Sequence, residues 1–260
     1  MMDDRAKTGI TELDNMLRGG FMRGDAVLLA GSAGMGKTTL GLEYIINGIT
    51  KYRENGLYVT FEQLPSQIYR DSANFGWQLK KMEEEDTLRV ICTSPNLLLE
   101  ASDGEHLFDS FIDEVHPKRI VVDSLSHLAM FVPQNELRKE MYKFVMYLKT
   151  KHLSSLLLWE SPGLMGQVQS ITEEGISFLV DAILILKPVE IESSMRKALG
   201  ILKLRGSDHD KRLTEYEITS EGFKLRKPFV EYEGIMSGSP RKILRVSEAD
   251  LLKSGLIKRR

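Results

Sequence analysis

Residues 31–38 read Gly-Ser-Ala-Gly-Met-Gly-Lys-Thr, and this octapeptide decides the fold class of the chain. It matches the pattern G-x-x-x-x-G-K-[ST], in which glycines let successive backbone N–H groups curl around a phosphate and the lysine supplies a cation. The apolar run 26–30 (AVLLA) precedes the octapeptide, and an amphipathic stretch over 38–51 follows it. A strand, a glycine-rich loop and a helix in that order predict a phosphate-binding loop with the helix N-terminus facing the anion.

This loop also predicts the residues that hold a nucleotide. Lys37 is expected to reach the outer phosphates, and the Thr38 hydroxyl is expected to ligate Mg²⁺. The predicted nucleotide-binding set is Gly31, Ser32, Ala33, Gly34, Met35, Gly36, Lys37, Thr38 and Thr39. The alternative, a glycine-rich turn with an incidental lysine, is disfavoured by the flanking strand and helix.

Short apolar runs alternate with amphipathic stretches along most of the chain. The runs are residues 26–30, 57–61, 88–92, 119–123, 155–159 and 182–186. Their near-continuous apolar character predicts parallel strands buried on both faces. Helices are expected over 38–51, over 136–152, and between Asp103 and Pro117. The alternation predicts an α/β fold with a mostly parallel sheet flanked by helices.

The pattern changes after residue 187. Runs at 197–203, 214–219 and 222–225 are separated by turn-like segments and predict antiparallel strands at one edge of the sheet.

Two carboxylates follow predicted strands and are candidates for chemistry. Asp123 closes the run at 119–123, where it would hold the Mg²⁺ shell through water. Glu62 follows the run at 57–61, and ligands meet an open α/β sheet at the carboxyl ends of its strands, so Glu62 is the predicted general base. Gln63 is expected to orient water or contact the γ-phosphate. The alternatives are a helix cap for Asp123 and a solvated loop residue for Glu62.

Composition and charge argue against several classes. The 260 residues carry 35 Lys and Arg against 37 Asp and Glu, a net charge of −2, which disfavours a dedicated polyanion binder. Cys92 is the single cysteine, so an intrachain disulfide and a cysteine zinc site are excluded. The apolar runs are shorter than the about 20 residues that cross a bilayer, and the N-terminus does not resemble a signal peptide. We therefore expect a cytoplasmic protein without a membrane partner.

Taken together, these segments resemble the KaiC-like branch of the RecA superfamily of ATPases over about residues 7–230. Besides the phosphate loop, the resemblance is carried by residues 8–20 (TGITELDNMLRGG), 61–63 (FEQ), 75–77 (FGW), 121–124 (VVDS) and 202–209 (LKLRGSDH). The last segment is the most diagnostic, since the loop and the aspartate strand occur in many nucleotide hydrolases.

The resemblance implies a RecA-like core with ATP and Mg²⁺ as cofactors, assembled as a homohexameric ring with ATP between neighbours. It further implies that Lys203 and Arg205 act in trans on the phosphates bound by the next subunit, with His209 beside the same interface. A cation supplied at the developing γ-phosphate charge accelerates transfer by orders of magnitude. The alternative is that Lys203 and Arg205 form the exposed, charged face of an edge strand.

Two departures from the family pattern qualify the expected activity. KaiC-type clock ATPases carry two adjacent glutamates where this chain has Glu62-Gln63, and they have two such domains in tandem. We therefore expect slow hydrolysis with a regulatory output, and a nucleotide-binding scaffold with little hydrolysis is the alternative. An autokinase would use Ser161, Ser170 or Thr172 as acceptors. A DNA-dependent ATPase is disfavoured, because residues 153–186 contain no Lys or Arg to neutralise phosphates.

The C-terminal segment differs in charge from the remainder. Residues 1–234 are the predicted ATPase domain, and residues 235–260 form a basic tail with seven Lys or Arg and two acidic residues. Residues 247–256 are a candidate for a short capped helix, and the alternative is a frayed or partner-docked tail. We expect the tail to dock on an acidic face of its own ring or on a regulatory protein partner.

Overall fold

The computed structural model describes residues 4–95, 97, 101–102, 105–106, 108–161 and 175–243. Within those residues, nine strands form one mixed sheet in the order β9-β8-β7-β6-β1-β5-β4-β2-β3. The strands are β1 (Ala26–Gly31), β2 (Gly56–Thr60), β3 (Leu88–Cys92), β4 (Arg119–Asp123), β5 (Ser154–Glu160), β6 (Ala182–Ile191), β7 (Ser194–Leu204), β8 (Thr214–Thr219) and β9 (Gly222–Pro228).

The helices connect the strands, and short turns and strand pairs complete the fold. The helices are α1 (Thr11–Met16), α2 (Lys37–Tyr52), α3 (Pro65–Ala73), α4 (Leu79–Glu84), α5 (Asp109–Val115), α6 (Leu128–Phe131) and α7 (Gln134–Thr150). Turns of 3₁₀-helix lie at Leu125–His127 and Ile176–Phe178. Two-residue strands pair Arg5–Ala6 with Phe21–Met22, Ala101–Ser102 with Glu105–His106, and Tyr232–Glu233 with Arg241–Lys242. None of these helices is long and apolar enough to cross a membrane.

The strands from β6 through β1, β5, β4 and β2 to β3 run parallel, as the apolar runs predicted. Their carboxyl ends therefore share one edge of the sheet, where Gly31 lies opposite Glu160 and Thr60 lies opposite Asp123. The predicted antiparallel extension is also confirmed, since β6, β7, β8 and β9 pair antiparallel in succession.

Two apolar cores lie on the two faces of this sheet. Successive side chains of a strand point to opposite faces, so Val27 and Leu29 pack in one core with α2, while Leu28 and Ala30 pack in the other with α7. This alternation explains why β1 is apolar at every position. It also anchors the carboxyl end of β1, and with it the glycine-rich loop, between two packed layers.

The structure corrects two of the predicted elements. The helix expected after Asp103 begins only at Asp109, because residues 105–106 are paired in a short strand. The strand expected at 182–186 continues to Ile191, and the strand expected at 197–203 already begins at Ser194. Both are longer than predicted because β6 and β7 form one long hairpin. Its turn residues Glu192 and Ser193 have φ of 51° and 60°. Such turns usually carry Asn-Gly, so this hairpin lacks the usual sequence signal.

Candidate active site

The glycine-rich loop connects the end of β1 to the start of α2, as predicted. Gly34 and Gly36 adopt left-handed backbone conformations, with φ of 73° and 87°. Any other residue at Gly36 would be strained by this backbone conformation, and its Cβ would lie 2.2 Å from Cδ1 of Ile218, so the Ile218 side chain would have to shift. The loop is held from behind by β7 and β8: Lys197 Nζ donates to the Gly34 carbonyl at 3.1 Å and the Tyr216 hydroxyl to the Met35 carbonyl at 2.7 Å.

The amine of Lys37 lies inside this loop. Its side chain is 8% exposed, and Nζ donates to the carbonyls of Gly31 and Ser32, both at 2.9 Å. The hydroxyl of Ser32 is buried and has no hydrogen-bond partner among the described residues. Buried polar groups are normally paired, so an orphan hydroxyl beside a buried amine fits a polar, anionic ligand such as a nucleotide phosphate.

Thr38 and Asp123 meet at the mouth of the loop. Thr38 Oγ1 donates to Asp123 Oδ2 at 2.6 Å, and the buried Tyr58 hydroxyl donates to the same oxygen at 2.6 Å. Burial, together with the Asp123 charge, raises the pKa of Tyr58 well above its ordinary value, so the phenol remains a donor. A hydroxyl and a carboxylate are the hard oxygen ligands that Mg²⁺ takes alongside phosphates and water. The described residues hold no cluster of three His, Cys, Asp or Glu that would bind a metal alone.

Glu62 lies two residues beyond β2 at the same edge of the sheet. Its side chain is 60% exposed, and Oε1 lies 2.6 Å from Nε2 of His127. The other ring nitrogen, Nδ1, lies 3.1 Å from Oγ of Ser124, the residue after Asp123. His127 is not among the residues that the sequence predicted for this site, because no motif or spacing along the chain marks it.

Glu160 is an acidic residue of the site that the sequence did not predict. It ends β5 directly opposite Gly31, and its Oε2 lies 3.5 Å from Lys37 Nζ. Its backbone N–H donates to Ser126 Oγ at 3.2 Å, and Ser126 Oγ lies 2.6 Å from Ser124 Oγ. The criterion that selected Asp123, a carboxylate at the end of a buried strand, would have found Glu160 as well.

For three predicted residues, the contacts among the described residues include no side-chain partner that assigns them a task. Gln63 is half-buried, and its backbone N–H donates to Thr60 Oγ1 at 3.3 Å. Ala33 is exposed at the crest of the loop, and Thr39 is the third residue of α2, partly buried.

Lys203 and Arg205 lie at the opposite edge of the sheet from the loop of their own chain. Leu204 pairs with Ala182, which is level with Val27, whereas Gly31 is four residues further along β1, about 13 Å away. A strand rises about 3.3 Å per residue, so neither cation is placed to reach the loop of its own chain.

The contacts of these cations are local. Lys203 Nζ donates to the carbonyls of Ser177 at 2.8 Å and Val180 at 2.7 Å, and burial and the nearby Arg205 lower the pKa of Lys203. Arg205 donates to Asp181 Oδ1 at 3.0 Å. The Lys203 amine therefore caps carbonyls and does not form a solvated edge face. His209 follows in the next loop, and its Nδ1 is buried without a partner among the described residues.

Two predictions concern residues outside those that the structure describes. Ser170 and Thr172, two of the three candidate phosphoacceptors, lie outside the described residues, as does the predicted helix at 247–256. Ser161, the third candidate, is buried and directly follows β5.

Comparison with known proteins yields one consistent group. A family model described as "ATPase: KaiC" matches residues 6–228. The circadian clock oscillator protein KaiC 1 of Synechocystis sp. is 36% identical over 241 residues, which are 92% of this chain and 46% of that protein. The clock oscillator protein KaiC of Synechococcus elongatus is 33% identical over 241 residues, again 92% and 46%. The chain thus spans about half the length of these relatives.

A solved structure shares the fold. The crystal structure of a KaiC-like protein from the hyperthermophilic archaeon Pyrococcus horikoshii OT3 superposes with a TM-score of 0.75 at 27% sequence identity. The superposition covers 85% of this chain and 98% of the archaeal chain.

Proposed function

The chain belongs to the KaiC family of ATPases, and from that membership we propose that it binds Mg²⁺ and ATP at Gly31–Thr38 and hydrolyses ATP to ADP and phosphate. The observation that carries the proposal is the meeting of Thr38 with Asp123 at 2.6 Å beside the buried Lys37 amine. That arrangement places a cation, a hydroxyl and a carboxylate at one end of a loop of backbone N–H groups.

The residues of the loop divide the binding task. The backbone N–H groups of the loop and the Lys37 amine hold the phosphates, and Thr38 with Asp123 would hold Mg²⁺, the latter through water. The ion, when bound, neutralises charge on the phosphate oxygens. Tyr58 keeps the Asp123 carboxylate oriented by donating to it from the buried side.

Glu62 is the proposed general base for hydrolysis. Its carboxylate accepts a proton from the attacking water as the water oxygen bonds to the γ-phosphorus and the bond to the β-phosphate oxygen breaks, leaving ADP and phosphate. Gln63 follows as a neutral amide, so one carboxylate serves this site. We expect slow turnover for that reason, and the alternative of a nucleotide-binding scaffold with little hydrolysis rests on the same residue.

Assembly into a ring would complete the site. Lys203 is level with Leu28, about 10 Å along the sheet from Gly31, and Arg205 follows Leu204, which is level with Val27 about 13 Å away. We therefore propose that both cations act on ATP held by a neighbouring subunit, with His209 beside them. A homohexamer closes such a head-to-tail contact. Hydrolysis would then depend on assembly, which suits a regulatory ATPase that works with a protein partner in the cytoplasm.

Nucleic acid is not the proposed partner. After Asp123 the first basic residues are Arg138 and Lys139, both exposed on α7, and residues 153–186 contain none. Binding to DNA requires several Lys or Arg residues near the phosphates. Salt-dependent binding of labelled single-stranded DNA would contradict this part of the proposal.

Single-turnover hydrolysis tests the proposed function directly. Wild type should convert bound ATP to ADP, and Glu62→Gln and Arg205→Ala should each slow the conversion at least tenfold while ATP remains bound. Wild type that forms no ADP, and so matches Glu62→Gln, would leave the scaffold alternative in place.

A further inference from the structure

Glu62, the proposed base, is not held by its own strand. It lies two residues beyond β2 with its side chain 60% exposed, and a free glutamate samples many rotamers. A base acts efficiently only when its carboxylate is held within hydrogen-bond reach of the proton that it removes. Something outside β2 must therefore orient this carboxylate.

His127 is the described residue whose side chain contacts the Glu62 carboxylate, with Nε2 at 2.6 Å from Oε1. An ionised carboxylate only accepts hydrogen bonds, so Nε2 must carry the proton and donate it. The contact occupies Oε1 and leaves Oε2 of Glu62 for the attacking water.

The imidazole itself is fixed by the segment that follows β4. With the proton on Nε2, Nδ1 accepts from the Ser124 hydroxyl, whose Oγ lies at 3.1 Å, and the backbone N–H of His127 donates to the Ser124 carbonyl at 3.1 Å. The ring is 22% exposed and lies 6.3 Å from the Phe61 ring. His127 is therefore an anchored donor, whereas Glu62 is an exposed acceptor.

The anchor of His127 is continuous with the phosphate loop. Ser124 Oγ lies 2.6 Å from Ser126 Oγ, Ser126 accepts from the N–H of Glu160, and the Glu160 carboxylate lies 3.5 Å from Lys37 Nζ. These contacts tie His127 to the ends of β4 and β5, on which Asp123 and Glu160 lie. His127 can therefore orient the Glu62 carboxylate relative to the strands whose ends form the proposed nucleotide site.

We propose that His127 is a positioning residue for hydrolysis, which holds the Glu62 carboxylate toward the phosphate loop by donating from Nε2. The proposal rests on the proposed ATPase function and adds a residue to it. His127 touches neither the loop nor Asp123 in the described contacts, so it acts through Glu62 alone. Its loss should lower the rate of hydrolysis and leave ATP affinity unchanged.

The test is single-turnover ATP hydrolysis by the full chain, with binding of a fluorescent ATP analogue measured in parallel. His127→Ala should hydrolyse about ten- to a hundredfold more slowly than wild type at unchanged affinity, the range expected when a reacting group is misplaced by about 1 Å. His127→Gln keeps a donor that reaches Glu62 and should retain more activity than His127→Asn, whose amide is one carbon shorter. Lys139→Ala, exposed on α7, serves as the matched control.

Epistasis with Glu62 separates positioning from a general structural role. In a Glu62→Gln background, His127→Ala should cause little further loss, because the carboxylate that it positions is gone. Equal losses in both backgrounds, a wild-type rate in His127→Ala, or equal rates in His127→Gln and His127→Asn would overturn the positioning proposal and leave the ATPase proposal standing. Wild type that forms no ADP would overturn both. The Gln and Asn pair decides the question if His127→Ala does not fold.

Discussion

The phenolic hydroxyl of Tyr58 donates a hydrogen bond of 2.6 Å to Oδ2 of Asp123 from the interior of the sheet. The oxygen that accepts it is also the acceptor for Thr38, so the buried phenol and the phosphate loop bind the same carboxylate oxygen. This relationship links the apolar core to the proposed metal site, since Tyr58 is fully buried on β2.

Replacing Tyr58 by Phe should lower the affinity of the site for Mg²⁺. Losing a hydrogen bond that orients a metal-holding carboxylate typically costs ten- to a hundredfold in metal affinity. We expect the Mg²⁺ concentration that half-saturates ATP hydrolysis to rise by about tenfold in Tyr58→Phe. Tyr142→Phe, exposed on α7, is the control, and an unchanged Mg²⁺ titration in Tyr58→Phe would contradict the orienting role.

Mixing two inactive variants tests whether Arg205 works in trans. Lys37→Ala lacks a working loop but keeps Arg205, and Arg205→Ala has the reverse defect. If the site lies between subunits, random mixing in equal amounts restores about a quarter of the interfaces, and with them about a quarter of the wild-type rate. If both variants assemble together and the mixture recovers no activity, Arg205 either acts within its own chain or takes no part in hydrolysis.

A pH-dependent stability is expected from Asp25, just before β1. Its Oδ2 is buried without a hydrogen-bond partner among the described residues, and burial together with the charge of Asp181 raises the pKa of Asp25 to about 6 from 3.8. A carboxyl with a raised folded-state pKa destabilises the fold where it is ionised. The cost is largest above about pH 6 and disappears as the pH falls toward about 4.

The variant Asp25→Asn should therefore raise the melting temperature more at pH 8 than at pH 5. A gain of about 1 kcal/mol at pH 8 corresponds to about 2–4 °C for a chain of this size. Differential scanning fluorimetry at both pH values measures it, with the exposed Asp71→Asn as the control. An equal gain at both pH values would show that the ionisation of Asp25 is not the cause.

The amino-terminal end of β4 depends on a buried charge. Arg119 is fully buried, donates to Glu54 Oε2 at 2.6 Å and to the Tyr44 carbonyl at 2.9 Å, and its guanidinium lies 4.5 Å from the centre of the Tyr44 ring. Removing one partner of a buried ion pair costs about 3–5 kcal/mol, because the other charge is left in the interior.

Arg119→Leu should accordingly lower the free energy of unfolding by about 3 kcal/mol in a denaturant titration. Arg23, which also pairs with Glu54 at 2.6 Å, keeps the loss near the lower end of that range. Arg70→Leu, at an exposed pair, should change stability by no more than about 0.5 kcal/mol. A neutral result for Arg119→Leu would mean that Glu54 is satisfied without it.

The features that were predictable from the sequence are those encoded locally. Gly36 and Lys37 lie in a contiguous motif, and Asp123 ends an uninterrupted apolar run, so short segments identify both the loop and its carboxylate partner. The parallel sheet was predictable as well, because strands that are apolar at successive positions must be buried on both faces.

The missed features join residues that are distant in the chain. Glu62 and His127 meet only because β2 and β4 are adjacent in the sheet, and no spacing along the chain encodes that contact. Tyr58 stands within an apolar run and is indistinguishable there from a core residue, since only the structure shows its hydroxyl aimed at Asp123. Lys203 and Arg205 lie toward the other end of the sheet from their own phosphate loop, and this position depends on the register of β6 and β7.

The function proposed for the site at Gly31–Thr38 is ATP hydrolysis with Glu62 as the base. The decisive experiment is single-turnover conversion of bound ATP to ADP in the presence of Mg²⁺, by wild type and by Glu62→Gln at matched ATP occupancy. We predict ADP formation by wild type and a rate at least tenfold lower in Glu62→Gln. Equal rates in the two proteins, whether both slow or both fast, would contradict the claim.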